Sequence, residues 1–169
     1  MDKYYTTNKG DEMNTKELIA LVNEDLKNER KHLMFYQNAS VLVGSLHRME
    51  LSEFFEKEAA SELVHVNEFS KLIVHLGGRP EAGVNEYPTD ITDPVDLLRY
   101  AIKMEEEVAD NYALRLRQTH EMETADIAVA HVFYEDQITD SWTTAKELRQ
   151  LIRDNNSNFF NVEPPTHAN

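Results

Sequence analysis

Glu62-Leu63-Val64-His65 sits in the middle of a segment whose apolar residues, Phe55, Ala59, Phe69, Leu72 and Leu76, recur with the period of an α-helix. A carboxylate and an imidazole three residues apart leave one face of a helix together. Here that face is otherwise apolar, so it points into a core. Cores do not keep charged groups unless something pairs with them, and a metal ion is one such partner. The spacing alone is weak: in a Glu-rich chain with 7 His, chance yields roughly one such pair. A second copy does run from Glu29 to His32. The other helices have to decide.

The 169 residues suit one domain with a proper core. Gly and Pro are scarce, 5 of each, and long segments follow a 3.6-residue period with no strand-like alternation. No run is long and apolar enough to span a membrane, and the N-terminus has no basic-then-apolar signal pattern. The absence of Cys excludes disulfides and thiolate metal sites and fits a cytoplasmic protein. A net charge of −14 argues against nucleic acid, which needs a basic surface, and suits a protein that attracts cations.

Residues 1–14 read as a flexible lead-in. Asn14-Thr15-Lys16-Glu17 starts the first helix with a capping side chain and a Glu three residues on, and this helix runs to about residue 43. Gly44-Ser45 marks a turn. The second helix covers about 49–76 and stops at Gly77-Gly78-Arg79-Pro80. A polar link, 77–92, leads to Asp93-Pro94 and a third helix to about 120, with Pro just inside its start. The fourth covers about 123–154, with Ala130, Phe133, Gln137, Asp140, Thr144, Leu148 and Leu151 inward. The tail, 155–169, contains Pro164-Pro165 and reads as irregular. Helices of about 28 residues are about 40 Å long. The short turns make two antiparallel hairpins. The middle link, at about 3.3 Å per residue, is long enough to cross the bundle. An all-α four-helix bundle over residues 15–154, with a long crossover between the second and third helices, is the ferritin-like layout.

Every inward stripe is broken near its middle: by Glu29, by Glu62 and His65, by Glu105, and by Gln137 with Asp140. Residues equidistant from a hairpin turn share a height. Glu29 lies 15 residues before Gly44 and Glu62 lies 17 after Ser45, so these glutamates sit level; a turn near residue 121 levels Glu105 with Gln137. Empty, such a cluster repels itself. Two divalent cations balance Glu29, Glu62, Glu105 and Asp140 in formal charge, and imidazole with carboxylate oxygen suits iron, manganese or zinc. Surface glutamates on misphased helices are the plain alternative, disfavoured by agreement across four helices.

With these residues in place, the chain resembles the ferritin superfamily over about residues 15–154, and its spacing is most similar to bacterioferritin. The family pattern is Glu, then Glu-x-x-His, then Glu, then Glu-x-x-His, one term per helix. Glu29, Glu62-x-x-His65 and Glu105 match the first three terms, and Tyr36 matches a tyrosine seven residues after the first glutamate. The fourth helix departs, with Gln137-x-x-Asp140, which resembles the half-site of some non-haem ferritins that hold the second iron loosely. Glu135 with Ile138 is a rival register that leaves one ligand position empty. In symmetric sites of the family an Asp before the pair hydrogen-bonds the opposite histidine, so the resemblance implies that Asp136, just before Gln137, serves His65 and fixes its tautomer.

The resemblance implies a homo-oligomer with two iron ions, manganese and zinc being alternatives. It implies oxidation of Fe(II) by O2 or peroxide for storage or detoxification, with Glu62 and Glu105 bridging or capping. Glu29 and His65 then bind opposite ions, Gln137 and Asp140 complete the second, and Tyr36 is the catalytic outer donor. No haem is expected, because Leu63 stands where haem-binding relatives carry Met. The short tail argues against the fifth helix of a 24-subunit cage. Two further readings stay open: a rubrerythrin-like oxidoreductase without storage, and a structural bundle with a decayed metal site. Tyr112, seven residues after Glu105, reads either as a second donor or as a core aromatic. Glu58 reads as part of an iron path or as an outlying charge, and His32 as lateral to the site or at the surface.

Overall fold

The computed structural model describes residues 14–44, 48–120, 122 and 124–159, with side chains as far as residue 153. It contains four helices: α1 (Thr15–Leu42), α2 (Arg48–His75), α3 (Pro94–Thr119) and α4 (Ala125–Phe159). At the start of α1, Asn14 Oδ1 accepts the Glu17 N–H at 3.1 Å while Glu17 Oε2 accepts the Asn14 N–H at 2.9 Å. Two donors that a helix start leaves orphaned are thus satisfied reciprocally. Asp93 caps α3 one way, its Oδ1 accepting from the Val95 and Asp96 N–H groups, with Pro94 in the first turn where no N–H is needed. Beyond α2, Gly77 takes φ +84° and the Gly78 N–H returns to the Ile73 carbonyl at 2.9 Å, a left-handed helix stop. A Cβ on Gly78 would stand 2.5 Å from the Ile19 side chain, so the link leaves α2 pressed against the start of α1.

The link then climbs α1. Asn23 binds the Arg79 carbonyl and the Glu81 N–H, at 3.3 and 2.7 Å. Asn85 bonds to the Lys27 carbonyl and to Asn28. Asn38 donates to the Tyr87 hydroxyl, and the Gly44 N–H to the Thr92 carbonyl. The chain has therefore travelled the length of the bundle before α3 begins, and α2 and α3 are parallel. This is the crossover expected of a ferritin-like bundle. The hairpins α1–α2 and α3–α4 supply the main packing.

The core falls into two apolar clusters. One gathers Leu18, Val22, Leu26, Phe69, Ile73, Tyr112 and Tyr134 around the start of α1. The other gathers Phe35, Tyr36, Phe55, Leu97, Leu98 and Met104 around its end. The charged residues lie between them.

α4 differs from expectation in two ways. It continues to Phe159, so the first residues of the expected irregular tail are helical. Asn and Ser only weakly oppose a helix, and the nearest proline is Pro164. Its inward face is also turned by about one residue. Ile127, Ala130, Tyr134, Gln137, Ser141, Ala145 and Leu148 are buried, Phe133 and Thr144 are half-buried, and Asp140 is exposed. The buried hydroxyl of Tyr134 has a carboxylate partner on α1, which fixes the phase that periodicity left loose. Residues 1–13, 45–47 and 160–169, which carry the expected lead-in, first turn and end of the tail, lie outside the described residues.

Candidate metal centre

Between the two apolar clusters, Glu29, Glu62 and Glu105 converge with exposures of 2, 4 and 2 %. His65 Nδ1 stands 3.4 Å from Glu29 and 3.2 Å from Glu62. His32 Nδ1 stands 3.6 Å from Glu62 and 3.5 Å from Glu105. Two donor groups result, Glu29–Glu62–His65 and His32–Glu62–Glu105, with the donor atoms of each within 4.8 Å of one another and Glu62 common to both. Donors about 2.0–2.2 Å from a shared ion stand about 3.0–3.5 Å apart. The separations therefore fit a first-row divalent ion in each group, as does the mixture of carboxylate oxygen and imidazole nitrogen.

Two tyrosines hold the carboxylates from opposite sides. Tyr36 on α1 donates to Glu105 on α3 at 2.6 Å, and Tyr112 on α3 donates to Glu29 on α1. Both are fully buried. The exchange follows from the antiparallel pairing of α1 and α3, which sets residue 36 beside 105 and 29 beside 112. One turn before Glu29, Asp25 accepts two bonds from Arg115, at 3.0 and 3.2 Å, and one from Tyr134 at 2.8 Å. This second polar cluster also belongs to the interior.

Burial sets the electrostatics. It raises the Glu29 carboxyl above its usual range, with the neighbouring Glu62 charge adding to it and the histidines opposing it. Glu58, on the turn before Glu62, is pushed up to about 7 by burial and then by Glu105. Asp25 is raised to about 6 by burial, against the pull of Arg115. His32 moves the other way from a plain buried imidazole: burial lowers it, but Glu105 and Glu62 outweigh burial and carry it to about 10. His65 also rises well above its usual value, its burial overcome by Asp140, Glu29 and Glu62. Both tyrosine hydroxyls are driven up by burial and by the carboxylates beside them, so they keep their protons.

Of the residues singled out in the sequence, Glu29, Glu62, His65 and Glu105 come together, with Tyr36 and Tyr112 bonded to their carboxylates. Tyr112 is therefore a partner of the cluster and not merely a core aromatic. Gln137 is buried, but its amide faces Glu68 at 3.5 Å, one turn past His65. Across α3–α4, Glu106 pairs with Arg149, so Glu105 is not level with Gln137. The Asp140 carboxylate meets the outer nitrogen of His65, Nε2, at 3.2 Å. It takes the place expected for Asp136, which is exposed beside Gln137. Glu135 is also exposed, so its register does not face the core. Glu58 is buried against the cluster and is no outlying charge.

His32 is the main correction. It is 1 % exposed and lies inside the cluster, not lateral to it or at the surface, and its Nε2 has no hydrogen-bond partner. The signal was present: Glu29-x-x-His32 repeats Glu62-x-x-His65. Asp25, four residues before Glu29 and so on the same face, carried a similar signal.

A model of the Ferritin-like domain family matches residues 19–157. A ferritin-like diiron-carboxylate protein from Bacillus anthracis str. Ames is 30% identical, with a TM-score of 0.74 over 81% of this chain and 96% of that one. The bacterioferritin-related thioferritin of Bacteroides fragilis gives a TM-score of 0.78 at 18% identity, over 90% and 94%. The bacterioferritin of Desulfovibrio desulfuricans gives 0.73 at 19%, over 81% and 78%. No curated protein sequence matches. With three buried glutamates converging inside a crossover four-helix bundle and the family model covering nearly all of it, this chain belongs to the ferritin-like domain family.

Proposed function

We propose that the chain binds two metal ions in the bundle interior and oxidises Fe(II), its substrate, with O2 or peroxide. One observation carries this reading: Glu29, Glu62 and Glu105 converge, almost fully buried, with the half-buried His65 beside them, between two apolar clusters, where uncompensated carboxylates are costly. Iron held there supplies one-electron redox chemistry. The Asp140 carboxylate accepts a hydrogen bond from the Nε2–H of His65, which with an ion bound leaves Nδ1 free toward Glu29 and Glu62. Tyr36 and Tyr112 fix the rotamers of Glu105 and Glu29. The Tyr36 hydroxyl donates to Glu105, so when the O2 or peroxide oxidant draws one electron from the ring, that carboxylate is in place to take the phenol proton and a neutral tyrosyl radical is left. The apolar clusters above and below keep bulk water out. The bacterioferritin and diiron-carboxylate names of similar structures support the metal assignment.

The chain is further proposed to assemble with copies of itself. A similar structure is described as dodecameric, and Leu63 and Val64 on α2 expose apolar surface next to the metal motif. The paired Tyr36 and Tyr112 also suit a non-storage, rubrerythrin-like oxidoreductase. A native mass of a dimer favours that second reading, and a closed shell favours storage. The activity is tested by adding Fe(II) aerobically and following ferric absorbance. Wild type is expected to outpace a protein-free control, and Glu62→Ala to fall to the control rate. Wild type no faster than buffer overturns the ferroxidase reading.

A further inference from the structure

Two Glu-x-x-His motifs stand on adjacent antiparallel helices and interlock. His65 of α2 meets Glu29 of α1, and His32 of α1 meets Glu62 of α2, each through Nδ1. A rotation that exchanges the two helices exchanges the two histidines. The half-site on the far side of Glu62 would otherwise have to draw its nitrogen from α4, whose one histidine, His131, is bonded instead to Thr119 Oγ1 at 2.6 Å. The Gln137 amide is turned toward Glu68, 3.5 Å away, and Asp140 lies outside His65 with its side chain about half exposed.

Resting on the two-ion reading above, we propose that His32 is the nitrogen ligand of the second ion, with Glu62 and Glu105. The α1–α2 hairpin then supplies both histidines, Glu62 serves both ions, and α4 supplies no direct ligand. His32 is 1 % exposed, and its Nδ1 stands 3.5 and 3.6 Å from two carboxylates on two other helices. Those distances are long for hydrogen bonds and ordinary for two donors sharing an ion. Its Nε2 is the one buried side-chain polar atom without a partner among the described residues. A ring placed only to neutralise carboxylates through hydrogen bonds would sit closer to them. The alternative occupant of this half-site is α4, through Gln137 and Asp140, and the two assignments make opposite forecasts.

The test uses Co(II) as probe, titrated anaerobically into the full chain and read by calorimetry and visible absorption. Wild type is expected to bind two ions per chain. His32→Leu is expected to bind one, with the affinity of the remaining ion kept within a few fold, while Gln137→Leu still binds two. Two ions of unchanged affinity in His32→Leu overturn the His32 assignment and leave the two-ion reading standing. Fewer than two in wild type overturns the two-ion reading, and this assignment with it. Because His32 is buried, the variant is first checked for helical content and native mass. A second measurement does not depend on it: wild type labelled with nitrogen-15 histidine and loaded with Co(II) should show two imidazole rings shifted by the paramagnetic ions. One shifted ring overturns the proposal.

Discussion

Raising the pH from 7 to 9 should destabilise the metal-free protein and leave the loaded protein nearly unchanged. His32 is buried between Glu62 and Glu105. Burial alone would lower its affinity for a proton, but the two carboxylates carry it from 6.5 to about 10. Its folded pKa therefore lies above its unfolded one, so the folded state holds a proton that the unfolded chain has released. The stabilisation is complete below about 6.5 and is lost as pH climbs toward about 10. One proton corresponds to about 1.4 kcal/mol per pH unit, or roughly 2–3 kcal/mol between pH 7 and 9 for His32 alone. In a domain of this size that lowers Tm by about 5–10 °C. His65, raised in the same direction, adds to the loss. The raised carboxylates of Asp25, Glu29 and Glu58 act with the same sign, but the values of about 6 and 7 place Asp25 and Glu58 at or below the start of this window. With metal bound the ligand imidazoles are neutral already, so the slope vanishes or reverses. Thermal and urea denaturation with EDTA at the two pH values, with and without metal, measure this. His32→Leu should remove about half of the metal-free slope. A metal-free protein as stable at pH 9 as at pH 7 would refute the placement of both imidazoles among the carboxylates.

Asp140→Ala should weaken the ion at His65 about 10- to 100-fold, because the partner that fixes the ring's tautomer is gone; Co(II) calorimetry reads this, and unchanged affinity counts against the contact. Asp25→Ala should destabilise the fold by about 3–5 kcal/mol, since it strands the buried Arg115 and the Tyr134 hydroxyl; urea denaturation checks it, and a loss under about 1 kcal/mol would contradict a buried pair. Tyr36→Phe should leave metal stoichiometry alone, cost about 1–3 kcal/mol of stability for the lost bond to a carboxylate, and slow aerobic Fe(II) oxidation in stopped-flow absorbance. Oxidation at the wild-type rate would return Tyr36 to the role of a core aromatic.

The fold was legible because it depends on strong local signals. Asn14 with Glu17, Asp93 with Pro94, and the Gly77-Gly78 stop each punctuate a helix in a way that tertiary packing reinforces. The length of the 77–92 link permitted the crossover, and its bonds to Asn23, Asn28 and Asn38 along α1 carry it out. The first three helices also yielded their glutamates, since a charge inside a long apolar stripe is too costly to persist without a partner that compensates it. The fourth helix resisted. Stripes through Phe133 and through Tyr134 fit its period equally well, and what chooses between them is a bond from Tyr134 to Asp25, 109 residues earlier. Register across the α3–α4 turn failed for a related reason: Arg115 of α3 and Tyr134 of α4 meet on one carboxylate, Asp25, so the pairing is centred beyond residue 121. His32 escapes a reading guided by the family pattern, which has no ligand there, although its own spacing from Glu29 repeats that of His65 from Glu62.

The central claim is that two ions lie between the apolar clusters and share Glu62. Crystals grown anaerobically with Fe(II) and measured at the iron absorption edge test it most directly. Two anomalous peaks in the bundle interior are predicted, both touching Glu62, one against Glu29 and His65 and the other against Glu105. Iron bound only at surface carboxylates, with no peak between Glu29 and Glu105, would contradict it.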